Sequence, residues 1–150
     1  MKCRFGFLGL FLILGACGER AGSGSASPIP QIVVNCKSAS CKRMTTNAVA
    51  TVLITHYDCN PNSFQFGLAS SSFTMSCDSA LGCYGTAKSW VNLQNQNVTT
   101  IPEGSYTICG RIDFNNTPLS YSDDSTAVAE STTISTKSQS PVVLTTWSGP

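Results

Sequence analysis

Short segments in which apolar and polar residues alternate recur along the chain after about residue 31. The clearest one is residues 105–114, where one parity holds Tyr106, Ile108, Gly110, Ile112 and Phe114. The other parity holds polar side chains and Cys109. Because successive side chains of a strand point to opposite faces, this pattern predicts a β-strand with one buried face. Residues 72–77 alternate in the same way and predict a second such strand.

Residues 48–57 form a longer run that is dominated by β-branched, aliphatic and aromatic residues. Ala50, Val52 and Ile54 are expected to face a core, with Val49 and Leu53 on the other side. Apolar residues on both faces indicate a strand inside a sheet rather than at its edge. Further strands are predicted at residues 32–34, 64–68, 84–93, 127–136 and 142–147.

Turn-forming residues separate these strands, and helix signals are nearly absent. The predicted turns lie at residues 60–62, 78–82, 102–104, 115–118 and 138–141. Many short strands at this spacing favour an antiparallel sandwich or barrel. We predict an all-β fold, an antiparallel β-sandwich.

The N-terminus has the pattern of an export signal. Lys2 and Arg4 precede an apolar run at residues 5–14, which is too short to remain as a membrane span. The run ends in Leu14-Gly15-Ala16-Cys17, which resembles the lipobox of bacterial lipoprotein precursors. This resemblance implies that Cys17 becomes the lipidated N-terminus and that two or three acyl chains anchor it stably. The alternative is an ordinary secretory leader that is cleaved near Gly18.

The resemblance also implies a location. Gly18 follows the lipidated cysteine where an aspartate would retain an enteric lipoprotein in the inner membrane, so the outer membrane is expected. We predict a signal peptide at residues 1–16, lipidated Cys17 with a flexible tether over residues 17–31, and one β-sandwich domain over residues 32–150. The tether prediction depends on the glycine, serine and proline content of residues 18–31.

Charge excludes one class of partner. Loss of Lys2 and Arg4 with the leader leaves seven basic and eight acidic side chains, a net charge of about −1. Such a balance gives no electrostatic basis for binding nucleic acid. The expected membrane contact is therefore the lipid anchor.

Six cysteines remain after Cys3 and Cys17, and an even number in an exported domain predicts a disulfide framework of up to three bonds. Fifteen connectivities are available to six cysteines. The spacing favours Cys36 with Cys41 and Cys77 with Cys83, which leaves Cys59 and Cys109 as a long-range pair. Zinc is a weaker interpretation, because no CxxC pair is present and His56 is the only histidine.

Residues 101–108 (Ile-Pro-Glu-Gly-Ser-Tyr-Thr-Ile) resemble the turn and strand start of extracellular Ig-like and transthyretin-like sandwiches. The resemblance implies that the proline and glycine make the turn and that Tyr106 packs near the sandwich edge. Tyr106 stands three residues before Cys109, whereas immunoglobulin domains have two, so an immunoglobulin inter-sheet disulfide is not expected. On strict alternation Cys109 lies on the polar face, where it would tie down a covering segment around Cys59.

Catalytic and metal signatures are weak. A triad must use His56, with Asp58 nearby, and we interpret His56 as a residue at the open end of a strand. Asp113, Asn115 and the Asp123–Asp124 pair resemble part of a calcium loop, but Pro118 stands where an EF-hand loop requires glycine. We therefore assign no catalytic residue, no metal and no cofactor.

The candidate ligand-binding residues are Tyr84, Lys88 and Trp90, which share one parity of a strand predicted over residues 83–91. Such an aromatic face stacks on a sugar or anchors a protein partner, although strand aromatics more often face the core.

The sequence thus favours a lipid-anchored, non-enzymatic envelope lipoprotein with a binding or structural role at the outer membrane. Its partner is expected to be an envelope protein, a polysaccharide or a secreted hydrolase. The alternative function is inhibition of a secreted protease or lysozyme, with the loops 36–41 and 77–83 as rigid probes.

Overall fold

A computed structural model of the chain describes residues 24–44, 48–59, 67–114, 124–137 and 139–149. The predicted leader, Cys17, the tether up to residue 23 and most of the predicted strand at residues 64–68 lie outside the described residues. None of the described helices is long and apolar enough to cross a membrane.

The described residues form twelve strands and one short helix, α1. In chain order they are β1 Ala26–Pro28, β2 Ile32–Cys36, α1 Ala39–Lys42, β3 Val49–Thr55, β4 Ala69–Thr74, β5 Ser76–Asp78, β6 Gly82–Ala87, β7 Trp90–Val91, β8 Asn97–Val98, β9 Thr100–Pro102, β10 Gly104–Asp113, β11 Ser125–Ile134 and β12 Val142–Leu144.

These strands form two main sheets and a small ribbon. One sheet has six strands in the order β11-β10-β3-β4-β7-β8, and the other has four in the order β12-β2-β6-β5. β1 and β9 pair separately. The predicted antiparallel β-sandwich is confirmed, with one exception: β12 runs parallel to β2.

The core lies between the two sheets and follows the predicted alternation. Ala50, Val52 and Ile54 of β3 face it, as do Ile108 and Ile112 of β10. The opposite sheet supplies the alternate residues of β2 and the buried end of β12: Ile32, Val34, Cys36 and Leu144. β3 pairs with β10 on one side and β4 on the other, so its predicted central position is confirmed.

The predicted strand at residues 72–77 is divided between the two sheets. β4 pairs with β3, whereas β5 pairs with β6. Met75 lies at the crossing, where it is buried and donates its backbone N–H to the carbonyl oxygen of Ala48 at 2.8 Å. The continuous alternation of Phe73, Met75 and Cys77 is therefore correct, but it extends across two sheets.

The outer face of the six-stranded sheet is also buried where β3 meets β10. Leu53 and Cys109 are cross-strand neighbours there and are almost inaccessible to solvent. A disulfide links Cys109 to Cys59, and a Cβ added to Gly67 would lie 1.8 Å from Leu53 Cδ1. The chain on either side of residues 60–66 thus contacts this face, as the alternation of β10 predicted.

The tether prediction is partly wrong. Residues 17–31 were expected to be flexible, but Ala26–Pro28 pairs with Thr100–Pro102 as β1. Glu103 N–H donates to the Ser25 carbonyl at 2.9 Å, and Ile29 N–H donates to the Thr99 carbonyl at 3.1 Å. The sequence of β1 has no alternating apolar pattern that would predict a strand. The strand forms through backbone pairing with β9 rather than through apolar side chains.

Tyr106 anchors the turn between β9 and β10. It is buried, and its hydroxyl donates to the Pro102 carbonyl oxygen four residues upstream at 2.5 Å. Burial raises the pKa of the Tyr106 phenol. This hydrogen bond ties the turn between β9 and β10 to the start of the long strand.

The described residues contain three disulfides, and they join the pairs that the spacing favoured: Cys36–Cys41, Cys77–Cys83 and Cys59–Cys109. Their sequence separations are 5, 6 and 50 residues. They therefore divide into two local loops and one long-range bond.

Loss of the long-range bond should destabilise the fold more than loss of a local bond. Loop-closure entropy predicts a cost of about 4 kcal/mol for a Cys59→Ala/Cys109→Ala variant and about 2 kcal/mol for Cys36→Ala/Cys41→Ala. Urea unfolding of both variants beside the parent measures the difference. Equal costs, or a larger cost for the local pair, would contradict this ranking.

Candidate binding surfaces

Two disulfide-closed loops lie side by side at one end of the four-stranded sheet. Cys36 at the end of β2 is the cross-strand neighbour of Cys83 in β6. Each of these cysteines is bonded to a different partner, Cys41 in α1 and Cys77 in β5. The Sγ of Cys83 also lies 3.5 Å from the carbonyl oxygen of Cys41. We call the joined loops, residues 36–43 and 77–83, the stapled tip.

The loop at residues 77–83 is held by its own hydrogen bonds. Asp78 Oδ1 accepts from the backbone N–H of Ala80 at 2.8 Å and of Leu81 at 2.9 Å. These hydrogen bonds, that from Leu81 first and that from Ala80 second, lower the pKa of the Asp78 carboxyl group. The carboxylate therefore stays ionised at neutral pH and keeps the turn in one conformation.

Gly82 joins the two loops of the stapled tip. Its φ is +87°, a conformation that side chains with a Cβ rarely adopt. A Cβ at this position would lie 2.1 Å from the Cys36 carbonyl oxygen and 3.2 Å from Lys37 Cα. Glycine is thus required both by the backbone conformation and by the close approach of the first loop.

The surface of the tip combines one apolar side chain with positive charge. Leu81 is 65% exposed. Lys37, Lys42 and Arg43 are exposed on the adjacent loop, and Arg43 contacts Ser40 Oγ at 3.3 Å. The tip also contains the acidic side chain of Asp78, whose carboxylate accepts hydrogen bonds from backbone N–H groups. The tip therefore presents an apolar anchor beside a net positive surface.

The stapled tip lies at the opposite end of the four-stranded sheet from the N-terminal chain. β2 begins at Ile32, just after β1, and ends at Cys36, where the tip begins. Its five residues separate the two ends by roughly 13 Å along the strand, at about 3.3 Å per residue. The start of β2, which the chain enters from β1, and the tip thus lie at opposite ends of this strand.

The second candidate surface consists of two adjoining grooves beside β6. The larger has a volume of about 660 Å³ and is lined by residues 29–31, 86–90 and 97–99. The smaller has a volume of about 360 Å³ and is lined by residues 71–74, 76, 84–86, 88 and 89. Thr86, Lys88 and Ser89 line both grooves, so the two grooves are neighbours.

Tyr84, Lys88 and Trp90 all line these grooves, but they do not form the single aromatic face that was predicted. β6 ends at Ala87, and the chain crosses at residues 88–89 into β7, where Val91 pairs with Ser70 of the other sheet. Trp90 therefore turns into the core and is 7% exposed, whereas Tyr84 is 54% exposed. The predicted continuous strand over residues 83–91 is wrong because the chain changes sheets.

No protein-family model, curated protein or solved structure matches this chain.

The residues considered for catalysis and calcium have structural contacts. The His56 ring packs against the Tyr106 ring in a tilted arrangement, with centroids 4.6 Å apart. Arg111 contacts both carboxylates of the calcium hypothesis that the structure describes, Asp124 through Nε and Asp113 at 3.8 Å. Asn115 and Asp123 lie outside the described residues. Among the described residues, no group of three or more potential ligands surrounds a metal position.

Sequence reasoning identified both disulfide loops but not their union into one tip. The sequence does contain one signal for the contact between the loops, which is Gly82 directly before Cys83. A glycine that ends a turn beside a cysteine permits close approach of another backbone. The pairing of β2 with β6, which places Cys36 beside Cys83, is a long-range contact that no local pattern specifies.

A methyl group at Gly82 should separate the two loops of the tip. We expect Gly82→Ala to lower the free energy of unfolding by about 1–3 kcal/mol through backbone strain alone, with a further loss from the contact with Cys36. Gly104→Ala is the matched control, because its added Cβ would lie 3.6 Å from the Tyr106 ring, at ordinary contact distance.

Urea unfolding of the two variants measures both effects. The control should change stability by no more than about 1 kcal/mol in either direction. A Gly82→Ala variant as stable as the control would show that the loops are not held together as described.

Proposed function

We propose that this chain is a lipid-anchored, non-enzymatic lipoprotein of the outer membrane that binds a protein partner through the stapled tip. The observation that carries the proposal is the position of the tip at the far end of the four-stranded sheet from the N-terminal chain. Gly24, the first described residue, follows Cys17 by seven residues, so the intervening chain spans at most about 25 Å. Lipidation of Cys17 would keep the domain near the membrane with the tip directed outward.

The rigidity of the tip supports a role in binding. Two disulfides, the Asp78 turn and the contact at Gly82 all restrict its conformation before a partner arrives. Preorganised loops lose less conformational entropy on association, and this saving appears as affinity. A partner would therefore meet Leu81 already held in its exposed position.

The partner should have an apolar pocket with an acidic rim. Leu81 would fill the pocket, and Lys37, Lys42 and Arg43 would face the rim, since complementary charge speeds association and excludes partners of like charge. An envelope protein of this description is the leading candidate partner.

A secreted hydrolase is the second candidate partner, because an exposed leucine on a disulfide-closed loop has the shape of an active-site probe. Under this alternative the domain inhibits a protease or a lysozyme by blocking its cleft. Activity assays of lysozyme and of leucine-accepting serine proteases distinguish the two: no loss of enzyme activity with micromolar domain would exclude inhibition of those enzymes.

Removal of the anchoring cysteine should release the protein from the membrane. A Cys17→Ser variant is expected to lose incorporation of an alkyne-labelled fatty acid and to leave the membrane fraction. The reason is that the acyl chains on Cys17 supply the membrane affinity of the parent protein. Cys3→Ser is the matched control, since Cys3 is removed with the leader, and it should keep both properties. Fatty-acid labelling of Cys17→Ser at the parental level would contradict the anchor.

Photocrosslinking tests the tip separately from the anchor. A photoreactive amino acid in place of Leu81 should give a discrete adduct on intact cells, whereas the same residue in place of Leu93 should not. Leu93 is a fair control because it is 61% exposed but lies on the β7–β8 turn, outside the tip.

The charges of the tip provide the specificity test for that adduct. A Lys37→Gln/Lys42→Gln/Arg43→Gln variant should reduce its yield, with a loss of roughly ten-fold if the three cations together contribute about 1.4 kcal/mol to binding. Equal crosslinking from positions 81 and 93, or a yield unaffected by the three substitutions, would contradict binding through the tip.

A further inference from the structure

We propose that the two grooves beside β6 form an oligosaccharide-binding site for a glycan that carries isolated carboxylates. This site is separate from the stapled tip and does not depend on the function proposed for it. Their volumes, about 660 and 360 Å³, lie in the range of small-molecule sites, and the same three residues, Thr86, Lys88 and Ser89, line both.

The polar groups of the grooves match the hydroxyl groups of a sugar. Many of the lining residues carry hydroxyl or amide groups, and among them Lys88 is the only charged residue. Hydroxyl and amide groups both donate and accept hydrogen bonds, which suits a ligand whose own hydroxyls do the same. The polar members of the two linings are Gln31, Asn97, Thr99, Thr86, Ser89 and the serines and threonine of residues 71–76.

Aromatic side chains lie at both grooves. Tyr84 lines the smaller groove and is 54% exposed, so much of its surface is open to a ligand. Trp90 lines the larger groove with its remaining exposed edge. Aromatic surface pairs with the apolar face of a sugar ring, while the surrounding polar groups bind its hydroxyls.

Lys88 determines the charge of the ligand. It is the charged residue that the linings of the two grooves share. One cation can pair with one isolated carboxylate. Binding of a nucleic acid backbone would require several such cations. A glycan with alternating neutral and acidic sugars fits this arrangement best.

The strand edges of the smaller groove argue against a peptide that adds as a further strand. The backbone N–H of Met75 points towards β3, where it donates to the Ala48 carbonyl oxygen. Backbone groups of successive residues in a strand point to opposite edges, so those of Ser72 and Thr74 point away from β3, towards the groove. The edge is bounded by the crossing at Met75 and by the pairing of Ser70 with Val91. Only these few residues of β4 are available, fewer than the roughly five or six of a typical strand.

Titration of the purified full chain with two oligosaccharides tests the proposal. The probes are a hyaluronan hexasaccharide, which alternates neutral and acidic sugars, and an uncharged N-acetylglucosamine hexasaccharide. Calorimetry should detect the hyaluronan fragment at micromolar to millimolar affinity, and the neutral fragment should bind at least about ten-fold more weakly.

Variants then locate the site. Tyr84→Ala should weaken hyaluronan binding about ten-fold or more, and Lys88→Gln should remove most of the preference for the acidic probe. Tyr57→Ala and Lys137→Gln are the matched controls, because both residues are exposed away from the grooves, Tyr57 at 64%. The controls should bind like the parent.

Several results would overturn the proposal. They are no binding of either oligosaccharide at millimolar concentration, binding that survives both Tyr84→Ala and Lys88→Gln, or an equal loss in the control variants. Binding of a short serine- and threonine-rich peptide instead of either glycan, with the same dependence on Tyr84, would assign the grooves to a peptide.

Discussion

The cross-strand pairing of Cys36 with Cys83 between β2 and β6 is the constraint on which the proposed tip depends. It brings two disulfides together at one point, although each closes a loop of only a few residues. Neither bond alone connects the loops to each other, and the β2–β6 ladder supplies that connection. The backbone contact at Gly82 then completes the tip, because only glycine allows the loops to approach so closely.

The chain changes sheets twice in the region that forms the grooves. It leaves the six-stranded sheet at Met75, forms β5 and β6 in the other sheet, and returns through residues 88–89 to pair at Ser70. These crossings leave β4 and β6 close but unpaired along their facing edges, with Phe73 filling the space inside. The grooves are thus a direct consequence of topology, and Lys88 lies at the second crossing.

The sequence predicted much of the fold because the relevant signals are local. Alternation in residues 105–114 identified the core face of β10, and the same alternation placed Cys109 on the outer face beside Cys59. The apolar residues on both sides of residues 48–57 correctly indicated a central strand. Disulfide spacing favoured the pairs that the structure contains.

The missed features all depend on long-range pairing. β1 has no apolar pattern and forms through backbone bonds to β9, and the parallel pairing of β12 with β2 joins segments more than a hundred residues apart. Trp90 shares its parity with Tyr84, but a change of sheet between them reverses which residue is buried. The candidate binding surfaces arise from these same long-range contacts, which explains why sequence reasoning found their residues but not their geometry.

Hydrogen–deuterium exchange at the Ala80 and Leu81 amides measures whether the tip is preorganised. Both amides donate to Asp78 within the loop that the Cys77–Cys83 disulfide closes and that the close contact at Gly82 holds against the first loop. A preorganised tip should show slow exchange at both positions in the oxidised protein, approaching that of β6, and fast exchange after the disulfides are reduced. Exchange at the rate of an unstructured peptide in the oxidised protein would contradict it.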